Sequence, residues 1–296
     1  MKQKYQDIKF RADTLNLITQ MNTMIAGYVR QGFILSVRQL YYQLVARDLI
    51  ENTERSYKRI ASIINDARLA GLIDWDHIED RNRNVIVRPR WSSGAQLLEA
   101  CASQFHMDHW DNQTERVMVI VEKAALEGVL SGICRKYDVP LLSARGYPSV
   151  SIMREMALEN IASAIDQGQN VLVLHLGDHD PSGIDMTRDL ESRFDLFLGD
   201  DRRESFTLKR IALTRDQIDE KSPPPNPAKT TDSRFSTYLK QHGSESWELD
   251  ALEPAYLVDL VELHLEGSID TDAWDEKAKE IKAVQQKLHS AARNFT

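Results

Sequence analysis

Val117-Met-Val-Ile-Val-Glu122 and Val171-Leu-Val-Leu-His-Leu-Gly-Asp178-His-Asp180-Pro-Ser-Gly183 decide how this chain is read. Each is an apolar run of strand length that ends abruptly in carboxylates. A run apolar at every position predicts a strand buried on both faces, as in a parallel sheet covered by helices. In open α/β sheets ligands bind beyond the carboxyl ends of the strands. Glu122, Asp178 and Asp180 are therefore expected together at one sheet edge. Hard carboxylate oxygens gathered there make a candidate Mg²⁺ site, with Mn²⁺ as a substitute. Taken alone, a Glu after a strand and an Asp-x-Asp pair suit a loop cap as well as a metal.

The surrounding residues sharpen the reading. Lys123 follows Glu122 and opens a helical stretch. Leu141-Leu-Ser-Ala-Arg145-Gly-Tyr-Pro-Ser149 supplies another strand and turn, and Pro181-Ser-Gly183 leads into a further helix. This order resembles the Toprim domain of topoisomerases, bacterial primases and certain nucleases. In particular it resembles the A subunit of topoisomerase VI and its relative, the meiotic double-strand-break transesterase. Those proteins carry a V-E-K strand end, a G-Y-P turn and a D-x-D-P-x-G loop in the same order. The resemblance implies a Toprim-like α/β domain with a largely parallel sheet over residues 116–296, including a C-terminal helical extension. It also implies that Glu122, Asp178 and Asp180 hold a metal.

With 296 residues, 42% hydrophobic and 28% charged, the chain has the composition of a soluble globular protein. No apolar run approaches the roughly 20 residues that span a bilayer, and Met1–Asp7 lacks the apolar core of a secretion signal. No membrane partner is expected, and the expected location is cytoplasmic, at the nucleoid. Cys101 and Cys134 fall in helical patterns without metal-ligand spacing and are expected as buried, reduced thiols. The net charge of −8 is unevenly spread: residues 1–90 hold 15 Lys/Arg against 10 Asp/Glu, and the remaining 206 hold 22 against 35. A basic first third on an acidic remainder suits a DNA-contacting module joined to a metal-binding domain.

That first third, residues 1–92, reads as three helices followed by a basic β hairpin. Leu15, Ile18, Met21, Ile25 and Val29 mark the first helix. Ser36 caps the second, and Asn52 or Thr53 caps the third, which ends near Gly71. The hairpin is Arg81-Asn-Arg83-Asn-Val-Ile-Val-Arg88-Pro-Arg90. This is the element order of a winged helix, with Lys58, Arg59, Arg81, Arg83, Arg88 and Arg90 as candidate DNA contacts. A small helical domain with a solvated basic loop is the alternative. Lys123 and Arg145 add candidate DNA contacts from the second domain.

On the second helix, Val37, Leu40, Tyr41 and Leu44 form one apolar face, so Tyr41 is expected in the core. Arg38 and Tyr42, four apart, stack on its flank. A guanidinium beside a partly exposed phenol can hold a phosphate against the hydroxyl, although helical geometry alone favours an ordinary boundary tyrosine over a nucleophile. Arg38-Gln-Leu-Tyr-Tyr42 is similar to the R-[DE]-[IVL]-[YF]-Y motif of the topoisomerase VI A family, whose second tyrosine attacks DNA. The resemblance thus assigns the nucleophile to Tyr42 and a supporting role to Arg38. Gln39 departs from it, standing where the family has an acid. The resemblance further implies a homodimer in which each tyrosine faces the partner's carboxylates, and it leaves room for a separate ATPase subunit, since this chain has no ATP-binding motif.

The remaining stretches carry weaker signals. Residues 93–115 form a connector, whose His106, His109 and Trp110 read as packing and surface residues rather than a metal site. His175 and His179 are left outside the ligand set, and Asp185 is a weaker candidate within it. Lys221–Pro227 reads as a stiff loop, and Lys229, Thr230, Thr231, Asp232 and Arg234 as a solvated one. Asp250-Ala-Leu-Glu253 has capping-box spacing, and the stretch from Trp274 onward suits an exposed terminal helix.

The expected activity is Mg²⁺-dependent cleavage of double-stranded DNA by tyrosine transesterification, in the manner of a type IIB topoisomerase. The alternatives are a Toprim-type hydrolytic endonuclease and a non-catalytic DNA-binding protein.

Overall fold

The computed structural model describes residues 2–79 and 88–294. It is a mixed α/β structure built around a parallel four-stranded sheet.

The N-terminal part holds α1 (Ala12–Arg30), β1 (Leu35–Ser36), α2 (Val37–Val45), α3 (Glu54–Leu69) and β2 (Ile78–Glu79). β1 and β2 pair in parallel, with Leu35 opposite Ile78. Met21, Ile25, Leu40, Leu44, Ile60 and Ile64 interlock as the core. Ser36 starts α2 with a reciprocal capping box to Gln39, so Gln39 does local structural work at the position where it departs from the resembled motif. The wing expected at 81–90 falls mostly outside the described residues, Arg81 and Arg83 included. Arg88 and Arg90 are exposed coil.

α4 (Gly94–Gln104) runs along the C-terminal helix. His289 Nδ1 lies 2.9 Å from Glu99 Oε1, and Gln285 Nε2 donates to the Phe105 carbonyl at 3.1 Å. The terminal helix is thus covered on one side, whereas Cys101, expected to be buried, is exposed; Cys134 is buried.

The sheet and its crossovers follow: β3 (Glu115–Val121), α5 (Glu127–Lys136), β4 (Leu141–Ser143), α6 (Val150–Glu155), a π-helical stretch Met156–Ala162, α7 (Ser163–Asp166), β5 (Asn170–Leu176), α8 (Pro181–Leu198), α9 (Asp200–Arg203) and β6 (Phe206–Ala212). The strand order is β4-β3-β5-β6, all parallel. Val117, Val119 and Val121 face a cluster with α5, while Met118 and Ile120 face one with the π-helical stretch and α8. Burial on both faces is why these strands read as continuous apolar runs. Since β3 is followed in space by β4 on one side and β5 on the other, the switch point of the sheet lies between β3 and β5.

The chain ends through α10 (Arg215–Lys221), β7 (Asn226–Pro227), α11 (Phe235–His242), β8 (Glu245–Ser246), a 3-10 turn Leu249–Ala251, α12 (Pro254–Ser268) and α13 (Thr271–Arg293). Among the described residues no helix is long and apolar enough to cross a membrane.

Candidate active site

Glu122 ends β3 and Asp178 follows β5, so the switch point brings them together: the Asp178 amide donates to Glu122 Oε2 at 2.9 Å. The loop 177–183 is held from several sides. Asp180 Oδ1 caps α8, accepting from the Gly183 amide at 2.6 Å and from Ser182 Oγ at 2.9 Å. Arg210 on β6 donates to the carbonyls of Gly177, Asp178 and Gly183 at 2.6–2.9 Å. His179 and Trp247 exchange both backbone hydrogen bonds at 2.9 Å, which lays the 245–250 segment beside the carboxylate loop.

That segment supplies the site residues that sequence reasoning missed. The Leu249 amide donates to Asp178 Oδ1 at 2.8 Å. Lys123 Nζ lies 2.6 Å from Asp178 Oδ2 and also bonds Glu248. Arg38, arriving on α2, puts Nη2 2.7 Å from Glu248 Oε2 and Nε 3.0 Å from Asp250 Oδ2. Asp250 is fully buried, with the Arg38 guanidinium as its counter-ion. It does not cap the next helix as its spacing suggested; α12 instead follows Glu253, which provides no side-chain cap. The capping pattern hid a buried counter-ion of Arg38.

The charge balance is acidic, with Glu122, Asp178, Asp180, Glu248 and Asp250 around Lys123, Arg38 and Arg210. Burial raises the Glu122 carboxyl above the usual range, with the Asp180 charge adding to it, and burial likewise raises Asp178 and Asp250. Burial also works to raise Glu248, but Lys123 and Arg38 outweigh it and hold that carboxyl low. Lys123, a candidate DNA contact, is held in these ion pairs, its side chain 18% exposed.

Tyr42 stands on the same site. A cavity of about 330 Å³ is lined by Arg38, Tyr41, Tyr42, Asp180, Asn226, Lys229 and Glu248, among others. The Arg38 guanidinium carbon lies 5.7 Å from the centre of the Tyr42 ring. The helical wheel put Tyr41 in the core and Tyr42 on a partly exposed flank, but both are buried, at 4% and 5% exposure. The reason is that α2 is covered from Gln39 to Val45, with Ala251 of the later turn joining the N-terminal core. Burial first, then Glu248 and Asp250, push the Tyr42 phenol up to about 12. Tyr42, Asp180 and Glu248 line this cavity within a single chain.

The other expected contacts are dispersed. Lys58 is exposed and pairs with Glu54, and Arg59 is exposed beside a separate cleft. Arg145 is exposed with a left-handed φ of 55° in the turn after β4. His175 bonds Thr187 Oγ1 and His179 bonds Tyr238 Oη, both at 2.9 Å, so neither joins the site. Asp185 is engaged by Arg188 and Arg234.

Mg²⁺ commonly takes one or two carboxylates and completes its shell with water and phosphate oxygens. Glu122 and Asp180 fit that mode. Among the described residues Glu122 Oε1 and Asp180 Oδ2 accept no hydrogen bond, and the two charges act on one another. Both Asp178 oxygens are engaged, Oδ2 by the Lys123 ammonium and Oδ1 by the Leu249 amide. The three do not form a compact trio: among the described residues, the group whose ligand atoms lie within 4.8 Å of one another is His106, His109 and Asp138. Asp178 is the anchor of Lys123 in this arrangement, while Glu122 and Asp180 each keep one oxygen without a hydrogen bond among the described residues. Neither a protein-family model nor a curated protein matches the chain.

Proposed function

We propose that this chain cleaves a DNA backbone by transesterification, with Tyr42 as the nucleophile. One observation carries the reading: Tyr42, Arg38, Asp180 and Glu248 line a single cavity at the carboxyl edge of the sheet. The resemblance of Arg38-Gln-Leu-Tyr-Tyr42 and of the V-E-K and D-x-D-P-x-G stretches to the topoisomerase VI A family supports it.

In this proposal Arg38 orients the scissile phosphate through Nη1, since its other nitrogens are engaged by Glu248 and Asp250. The bond from Tyr42 Oη to phosphorus forms as the bond from phosphorus to the 3′ oxygen breaks, leaving a 5′-phosphotyrosyl link. The phenol proton is lost to solvent, and the departing 3′ oxygen takes a proton from water. Mg²⁺ held by Glu122 and Asp180 would supply positive charge against the phosphate and the leaving oxygen. Exposed Arg145, and Lys229 at the cavity mouth, are positioned to follow the backbone by charge. Cutting both strands calls for two copies, and a twofold homodimer suits a duplex. Each cavity then draws its tyrosine and carboxylates from one chain. Strand passage would need an ATPase partner in addition.

The burial of Tyr42 and its elevated pKa favour a second reading, hydrolysis by water with Tyr42 as a DNA contact. Denaturing the protein rapidly on end-labelled duplex DNA, with Mg²⁺ or Mn²⁺, separates the two. Transesterification leaves label attached to wild-type protein and none to Tyr42→Phe. Undiminished cutting by Tyr42→Phe would overturn it in favour of hydrolysis. Cutting by neither protein, with DNA binding intact, would leave a non-catalytic binding protein.

A further inference from the structure

At the opposite edge of the sheet, where β3 and β4 begin, the connector meets the end of α5. Asp138 follows α5 with a left-handed φ of 52°, which aims its carboxylate at the connector loop. Asp138 Oδ1 lies 2.6 Å from His106 Nε2, and Oδ2 accepts from the His109 amide at 3.0 Å. His109 Nδ1 lies 3.7 Å from the same Oδ2. That nitrogen is buried and has no hydrogen-bond partner among the described residues. The His109 ring is fixed by stacking on Trp274 of α13, with ring centres 4.7 Å apart. Next to it, Trp110 Nε1 donates to the Tyr137 carbonyl at 2.8 Å, pinning the loop to the end of α5.

An ordinary His–Asp hydrogen bond accounts for His106. It does not account for His109 Nδ1, a buried polar atom whose solvation has been given up without a replacement bond, at a cost of about 1–3 kcal/mol. The ligand atoms of His106, His109 and Asp138 all lie within 4.8 Å of one another, so a small closing movement would bring them to the spacing of a shared ion. His106 is largely exposed and leaves a way in from solvent.

We propose that His106, His109 and Asp138 form a second metal site, one that takes a borderline dication of the Zn²⁺ or Co²⁺ type. Two imidazole nitrogens and one carboxylate are ligands for such ions, whereas Mg²⁺ favours the all-oxygen groups at the other edge. The three ligands leave a further position to water. The ion ties the connector loop to α5 and, through the stacked Trp274, to α13, so it is a clamp between the two ends of the C-terminal part.

The test is a Co²⁺ titration of the full-length chain after removal of metal and any affinity tag, followed by visible absorption. A parallel sample carries Glu122→Gln and Asp180→Asn to silence the carboxylate cavity. Both are expected to take up Co²⁺ with visible d–d bands that Zn²⁺ displaces, one ion per chain in the double variant, and Zn²⁺ is expected to raise Tm. Loss of even an outer-sphere partner weakens metal sites by about 10–100-fold, so His106→Ala and Asp138→Asn are each expected to lose at least about 100-fold. His106→Ala changes an exposed side chain, and its fold is checked by circular dichroism. Unchanged bands in both variants, or no bands in the wild type, overturn the proposal.

Discussion

Lys123 Nζ lies 2.6 Å from Asp178 Oδ2 and bonds Glu248 as well, so one ammonium joins the end of β3, the loop after β5 and the segment before α12. Both its partners are mostly buried, and removing one member of a buried pair strands the other's charge, at about 3–5 kcal/mol. Lys123→Met is expected to lose stability of that order in metal-free buffer. It also vacates the space between two carboxylates, so Mn²⁺ should restore more stability to the variant than it adds to wild type. Urea denaturation with chelator and with Mn²⁺ measures both. Equal stabilisation of the two proteins by Mn²⁺ would show that Lys123 does not compete for that charge.

His175 gives a prediction in pH. It is fully buried on β5, its Nδ1 bonded to Thr187 and its Nε2 without a partner, and burial depresses its pKa to about 3. A depressed folded pKa means that the stability it contributes is present above the unfolded value and lost as pH falls. The window therefore opens near pH 6.5 and runs down toward 3. One proton corresponds to a slope of roughly 1.4 kcal/mol per pH unit inside it. His175→Leu, which removes the titration and the orphaned nitrogen together, should flatten stability between pH 6 and pH 4 by up to that slope. An unchanged slope in urea melts would mean that the imidazole is not the group that charges.

The sheet was legible from the sequence because Val117–Val121 and Val171–Leu176 are apolar on both faces, a local signature of a covered strand. Glu122 and Asp178 were legible for the same reason, since sheet topology carries strand ends to a common edge. Glu248 and Asp250 were not, because a pairing of His179 with Trp247 places them, and no local pattern announces a long-range bridge. The wheel of α2 misread Tyr42 for a related cause: periodicity shows the preferred buried face but not whether later segments cover the rest. His106 and His109 read as packing and surface residues, and their approach to Asp138 was not legible because Asp138 lies beyond β3 and α5 in the chain.

Gly183 tests how tightly the carboxylate loop is built. A Cβ at that position would stand 2.3 Å from the Asp178 carbonyl oxygen and 3.1 Å from Asp178 Cβ, closer than atoms approach without moving. The loop is also tied by Arg210 and by the Asp180 cap, so it has little room to yield. Gly183→Ala is expected to cost about 1–3 kcal/mol as overpacking does, and to displace Asp178 from the Leu249 amide. Slowed amide exchange at Leu249 in wild type, lost in the variant, would register the displacement directly. A variant with wild-type stability and exchange would show that the loop is looser than its contacts suggest.

Tyr41 and Tyr42 are neighbours with opposite bonding. Tyr41 Oη lies 3.0 Å from Asn52 Oδ1 and 3.1 Å from the Thr53 carbonyl, while the Tyr42 hydroxyl makes no hydrogen bond among the described residues and lines the cavity. Tyr41→Phe should therefore lose about 1–2 kcal/mol of stability and still form a covalent DNA adduct. Tyr42→Phe should stay within about 0.5 kcal/mol of wild type and form none. The pKa of about 12 held by Tyr42 sets the pH dependence. Below that value the phenolate fraction rises about tenfold per pH unit, so single-turnover adduct formation should climb steadily from pH 7 to pH 10. A cation held at Glu122 and Asp180, as proposed, would add positive charge against the Glu248 and Asp250 carboxylates that raise the phenol, so the climb should begin at lower pH when Mg²⁺ is present. An adduct yield independent of pH, or one that survives in Tyr42→Phe but not in Tyr41→Phe, would move the nucleophile away from Tyr42.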